Sequence, residues 1–205
     1  MYDGGMQRAD AVRNRRLLMD AATAEFAENG MDVSITRIAT RAGVGKGTVF
    51  RHFDTKEQLL AEIFSDRLEE LVAAGERLSG ADDPGAALFE FMTVGTEIQA
   101  RDRSFCQAAA ALSRSEATVR TSRERLADVA QILVTRAQEA GAVRDDITGL
   151  DIVLLLSAAS QAVLSISEEA PGLWQRYLSM IFDGLRPGAA GPLPVPAPTR
   201  AQFTG

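Results

Sequence analysis

Residues 34–53 read SITRIATRAGVGKGTVFRHF. Ser34 is a residue type that closes a helix N-terminus with its side-chain oxygen. Behind it Ile35, Ile38, Ala39 and Ala42 recur at helical spacing. Gly43-Val44-Gly45 turns the chain, and a second short helix runs from about Lys46 to Phe53. Two short helices joined by a glycine turn form a helix-turn-helix, whose second helix fits a DNA major groove. Ile38, Ala39, Val44, Val49 and Phe53 are the apolar residues placed to pack the pair together. Lys46, Gly47, Thr48, Phe50, Arg51 and His52 are then left facing outward. Gly47 has no side chain to hold a base edge or a phosphate away from the backbone.

The same period extends in both directions. Upstream, Leu17, Leu18, Ala21, Ala22 and Phe26 form one face of a first helix, stopped by Asn29-Gly30. Downstream, Thr55 with Gln58 fits a capping box for a fourth helix, lined by Leu59, Leu60, Ile63, Phe64, Leu68, Leu71 and Val72. Pro84 suits the first turn of a fifth helix, a sixth covers about Ser104 to Leu112, and a seventh Ser115 to Ala140. The eighth, Thr148 to Ser167, is apolar nearly all round, so it is expected to be buried on every side. Pro171 opens a ninth, with Trp174, Tyr177, Leu178, Ile181, Phe182 and Leu185 in its stripe. No stretch alternates convincingly as a strand. The expectation is an all-α chain of about nine helices, followed from residue 187 by a proline-rich tail without regular structure.

Composition removes other classes. With 205 residues and 46% hydrophobic, the chain has material for a sizeable core. Its single cysteine, Cys106, closes no internal bridge, and with the single histidine, His52, it makes no zinc cluster. The apolar run from Ile152 to Ser167 is shorter than the ~20 residues that cross a bilayer. A soluble, cytoplasmic protein is expected. The net charge of −6 looks hostile to nucleic acid, but it is unevenly spread. Residues 1–60 carry nine basic and eight acidic side chains, whereas residues 61–205 carry 13 and 20. The only lysines, Lys46 and Lys56, flank His52. An acidic body with a neutral-to-basic end orients itself on a polyanion.

Residues 11–64 resemble the DNA-binding domain of the TetR family of bacterial transcription regulators. The resemblance rests on Leu17 to Ala22, Phe26, Gly30, Ile38-Ala39, the run from Ala42 to Phe53, and Lys56-Glu57. It implies a DNA-binding domain over 1–55, a helical ligand-binding and dimerising domain over 56–186, and a tail over 187–205. It also implies that Thr36, Arg37, Lys46, Gly47, Thr48 and Arg51 read bases or nearby phosphates, while Phe50, His52 and Lys56 meet the phosphate backbone. Phe50 stands where the family most often has tyrosine, so a phenolic hydrogen bond to phosphate is lost. The function implied is a repressor released from a palindromic operator by a small-molecule effector, with the fourth helix as lever. The alternatives are an activator docking in the same way, or a helical small-molecule binder without DNA regulation.

Other features have plainer readings beside the sharper ones. Gly43 to Thr48 lacks the spacing of a phosphate loop, since Thr40 stands where glycine is needed and Gly47 splits Lys46 from Thr48. No convergent acid–base set marks an enzyme, and no cofactor or metal is implied. Asp82-Asp83, Asp145-Asp146 and Glu168-Glu169 read as solvated acids at helix ends. Arg120, Arg123 and Arg125, interleaved with Glu116, Glu124 and Asp128, read as a salt-bridged exposed face. Phe89, Phe91, Met92, Phe105 and Leu112 suit either a ligand cavity or ordinary core. Thr93, Gln99 and Gln161 are the polar groups that would orient a ligand, and Cys106 is either a core residue or a thiol sensor. Small Ala158, Ala159 and Ala162, with Trp174, Tyr177, Ile181 and Phe182, are expected in a four-helix interface between two copies.

Overall fold

The computed structural model describes residues 4–30, 32–101, 117–163, 169–188 and 191–204. Among them every regular element is a helix: α1 Gly4–Asn29, α2 Ile35–Arg41, α3 Lys46–His52, α4 Lys56–Leu78 and α5 Pro84–Arg101. These are followed by α6 Ala117–Glu139, α7 Gly149–Leu155, α8 Ala158–Ala162, α9 Trp174–Gly184 and α10 Arg200–Thr204. The expected sixth helix, with Phe105, Cys106 and Leu112, lies outside the described residues. The chain divides within α4, between Phe64 and Ser65, into two compact units.

The first unit holds α1 to α3 and the start of α4. Its core is Leu18, Ala22 and Phe26 from α1, Ile38 and Ala39 from α2, Val49 and Phe53 from the α3 region, and Leu59 and Leu60 from α4. Leu17 departs from expectation. It is 41% exposed while Leu18 is fully buried, because 100° per residue turns it to the edge of the face that Leu18, Ala22 and Phe26 share.

The second unit is a helical bundle around α5, which packs on α6, α8 and α9. Leu88, Phe91 and Met92 of α5 meet a core supplied by Leu71 and Val72 of α4, by Leu126, Leu133 and Val134 of α6, and by Leu178 of α9. Leu126, Val129, Ala130, Leu133, Val134 and Ala137, at helical spacing along α6, are all buried. Asp83 starts α5 by accepting the amide of Ala86 at 2.9 Å.

The stretch expected as one helix from Thr148 is divided. Thr148 and Asp151 form a capping box for α7. The helix stops at Leu156-Ser157, where Ser157 Oγ donates to Leu154 O at 3.1 Å and Thr96 Oγ1 donates to Leu156 O at 3.2 Å. Hydroxyls satisfying these carbonyls offer the backbone an alternative to the helical ladder. Leu154 is 52% exposed, so in the protomer this element is not covered on every side.

Arg125 lies on a salt-bridged, half-exposed face, as expected, but its partners are on another helix. It pairs across to Glu69 and Glu76 of α4, not with the acids interleaved on its own helix. Asp146 is held by Arg144, whose Nη2 lies 2.7 Å from Oδ2 and also donates to Gly191 O at 2.9 Å. That hydrogen bond lowers the Asp146 carboxyl to about 2. The tail runs on from this clamp to α10, where Arg200 pairs with Asp128.

Candidate nucleic-acid interface

The first unit builds one outward helix from short-range rules. Ser34 Oγ caps α2 by accepting the amide of Arg37 at 3.3 Å. Gly43 ends it with φ +70°, the left-handed conformation a Cβ disfavours. The amide of Gly43 then reaches Thr40 O at 3.1 Å and that of Val44 reaches Ala39 O at 3.0 Å. This double bond pattern closes the helix and reverses the chain. Gly45 begins α3, its carbonyl accepting from Thr48 N at 2.8 Å.

Burial of Val49 and Phe53 against Ile38 and Ala39 fixes which side of α3 faces out. Lys46, Gly47, Phe50 and Arg51 are exposed, and Thr48 and His52 half-buried. Lys46 Nζ sits 5.9 Å from the centre of the Phe50 ring. No acidic residue occurs between Lys46 and His52. The outward surface of α3 is therefore positive, with one large ring and one bare backbone position. A Cβ built on Gly47 meets nothing within 4 Å. Glycine costs a helix interior about 0.5–1 kcal/mol relative to alanine, and nothing among the described residues requires it there.

The start of α4 stands beside this helix. Thr55 Oγ1 accepts from Gln58 N at 3.0 Å, and Gln58 Oε1 accepts from Asp54 N at 2.7 Å. The reciprocal capping expected from Thr55 and Gln58 is thus present, with its return bond one residue earlier than in the standard box. Lys56 is half-buried, its Nζ 5.7 Å from the Phe26 ring centre.

Thr36 and Arg37 differ from the α3 set. Thr36 is exposed, while Arg37 is turned to α1: its Nε lies 2.6 Å from Glu25 Oε2 and its Nη2 donates to Asn29 Oδ1 at 3.1 Å. Glu25, 5% exposed, also meets Arg41 at 3.2 Å. Arg41 completes the cluster with two 2.6 Å bonds to Glu28. Those bonds depress the Glu28 carboxyl and hold Arg41 protonated above its usual range. The cluster fastens α2 to α1 around a buried carboxylate that would be costly unpaired.

A further residue emerges that the sequence reading passed over. Arg15 donates through Nη1 to His52 O at 3.1 Å, pairs through Nη2 with Glu62, and lies 4.6 Å over the Phe53 ring. It ties the C-terminal end of α3 to both α1 and α4. The signal available in sequence was an arginine one helical turn before the buried Leu18.

The ligand and interface residues expected in the second unit separate by burial. Phe91 and Met92 are fully buried, and Thr93 Oγ1 is taken up by Phe89 O at 2.8 Å on its own helix. The Phe89 and Phe182 rings meet at a tilt of 60°, their centroids 4.9 Å apart. Gln99 is half-buried and Gln161 exposed. Thr96, absent from the sequence reading, is fully buried. Trp174, Phe182 and Ala159 face the core of their own protomer, at 6%, 9% and 0% exposure. Ala162 and Tyr177 are exposed, and Ala158 and Ile181 intermediate. No group of three His, Cys, Asp or Glu among the described residues could hold a metal ion. No helix there is long and apolar enough to cross a membrane.

Comparison with known proteins agrees with this geometry. The family model for bacterial regulatory proteins of the tetR family matches residues 18–63, and that for the C-terminal domain of SbtR-like transcriptional regulators matches 83–187. A crystal structure of a TetR transcription regulatory protein from Mycobacterium vanbaalenii is 34% identical, covers 88% of this chain and 99% of its own, and superposes with a TM-score of 0.63. The HTH-type transcriptional repressor KstR2 of Rhodococcus jostii is 28% identical over 83% of this chain and 90% of its own. The probable acrEF/envCD operon repressor of Escherichia coli is 31% identical over 97 residues. That alignment spans 46% of this chain and less than half, 44%, of the relative.

Proposed function

The chain belongs to the TetR family of bacterial DNA-binding transcription regulators, and we propose that it is a homodimeric repressor released from a palindromic operator by a small-molecule effector. The observation that carries the DNA half of this reading is the outward surface of α3: Lys46, Thr48, Phe50 and Arg51 around the uncovered backbone of Gly47. In it Arg51 is the bidentate reader of guanine, Lys46 and Thr48 contact bases or neighbouring phosphates, and Phe50 packs on sugar. His52 and Lys56 meet the backbone. Arg37 and Thr36 stand at the edge of this surface. Because Arg37 already pairs with Glu25, its part is to approach a phosphate with the charge left over.

Dimerisation sets the spacing of two such helices to one DNA turn, about 34–36 Å. Support for it comes from apolar groups that the protomer leaves uncovered: Leu154, Tyr177 and Met180, at 52%, 37% and 59% exposure, beside Ala158 and Ala162. Repression is favoured over activation by the names of the relatives, two of which are repressors. Release requires an effector that prefers one arrangement of the two heads, since a ligand binding both equally shifts nothing. Selection of bound fragments from a random DNA pool by the full chain tests the reading. Enrichment of an inverted repeat is expected, and enrichment of no sequence would contradict it.

A further inference from the structure

We propose that the second unit carries a binding site for an amphiphilic organic cation in the cleft between the start of α5, the turn after α6 and the end of α9. The cleft encloses about 680 Å³, within the 300–1,000 Å³ typical of small-molecule sites. Its floor is the Phe89–Phe182 pair, two tilted rings 4.9 Å apart.

The walls are fixed by bonds that do not depend on a ligand. Arg136 holds the loop before α5 through Ser79 O and through Ala81 O at 2.8 Å. A Cβ on Gly85 would lie 2.8 Å from Ala142 Cβ, so only glycine lets the start of α5 press against the turn after α6. The amide of Arg144, just beyond that turn, donates to Leu185 O at 2.8 Å and ties the end of α9 to it. A site assembled in advance avoids the ordering cost of forming on binding.

Charge then chooses the ligand. Asp83 and Asp183 stand on the lining, against one cation, Arg186. Arg186 is already engaged, its Nε 3.0 Å from Asp183 Oδ1. Asp83 uses one oxygen to cap α5, which neutralises the only positive helix end present, and keeps the other. The ends of α6 and α9 add the negative poles of two helices. The Asp183–Arg186 pair offsets itself, so an anion placed here would face the second oxygen of Asp83 and the negative poles of two helices. A cation would meet that oxygen and those poles favourably. The apolar part of the ligand lies on Phe89 and Phe182. The site stands apart from the operator reading, and its test uses no DNA.

The probe is decyltrimethylammonium below its micellar concentration, titrated calorimetrically into the full chain, with tetramethylammonium and decanoate as controls. A single saturable site is expected for the long cation. Binding should be at least about tenfold weaker for tetramethylammonium, which lacks the chain that covers the rings, and absent for decanoate. Asp83→Asn with Asp183→Asn should weaken the long cation about three- to tenfold. Asparagine still caps a helix, so the fold is kept. Ser179→Lys, which puts a cation on the exposed wall, should abolish binding independently. No saturable binding, equal binding of decanoate, or undiminished binding by either variant would overturn the proposal.

Discussion

Gly47→Ala separates a residue kept for folding from one kept for a partner. The substitution adds one methyl to the exposed side of α3, in a seven-residue helix. The new Cβ meets nothing within 4 Å, and Gly47 is not among the glycines with positive φ. The free protein therefore gains helix propensity without strain, a stabilisation of about 0.5–1 kcal/mol from the reduced freedom of the unfolded chain. In the proposed docking on DNA the same methyl stands where α3 meets the floor of the groove. Holding the helix off by a methyl radius disturbs hydrogen bonds from Lys46 and Arg51 together, each bidentate base contact being worth about 1–3 kcal/mol. Operator affinity should fall at least about tenfold, or ~1.4 kcal/mol. The assay pairs a denaturant melt without DNA with fluorescence anisotropy titrations of a selected operator at several salt concentrations. The melt should move up and the affinity down, with the salt slope unchanged because no charge is lost. Higher stability with undiminished affinity would refute the placing of Gly47 at DNA. Lower stability would refute the claim that the fold does not need it.

Three other perturbations test different parts of the account. Arg15→Met removes the tie between α3, Glu62 and His52 O; the first unit should lose about 1–2 kcal/mol. Operator affinity should then fall at an unchanged salt slope, because the Arg15 charge is turned to Glu62, and a slope reduced by about one would mean Arg15 binds a phosphate. Tyr177→Arg with Met180→Arg alters side chains already exposed in the protomer, so light scattering should report folded monomers; persistent dimers would place the interface elsewhere. Asp146 has its carboxyl lowered to about 2 by Arg144, so its stabilising contribution is present above the ordinary carboxylate range near 3.9 and is lost as pH falls from about 4 to 2. Acid melts of wild type and Asp146→Asn should differ above pH 4 and converge below pH 2, and a constant gap across that window would remove Arg144 as the cause.

How much of this was legible in the sequence depended on the range of the forces involved. The helix-turn-helix is written in neighbours: the Ser34 cap, the left-handed Gly43 and the period that buries Ile38, Ala39, Val49 and Phe53 all act within a turn or two. What escaped was contact between distant segments. Arg15 finds its partners 37 and 47 residues away, and Arg37 reaches back to Glu25, so the role of each depends on how the helices pack. The end of α7 at Leu156 was invisible for the same reason, since Thr96 meets the released carbonyl from 60 residues upstream. The amphipathic stripe of α9 was seen, but not its direction. Trp174 and Phe182 fill their own protomer, while Tyr177 and Met180 stand on the other side. Periodicity reports that a helix has an apolar face and is silent on whether the same chain or a second copy covers it.

The central claim is that α3 reads base pairs through Arg51, and the most direct measurement compares the motifs that wild type and Arg51→Ala select from the same random DNA pool. Arg51 is exposed on α3 and its removal leaves the core of the first unit untouched. The variant should still select an inverted repeat, with base preference relaxed at one symmetrical position in each half and a loss there of about 1–3 kcal/mol. Identical motifs from the two proteins, with the same preference at every position, would contradict the account.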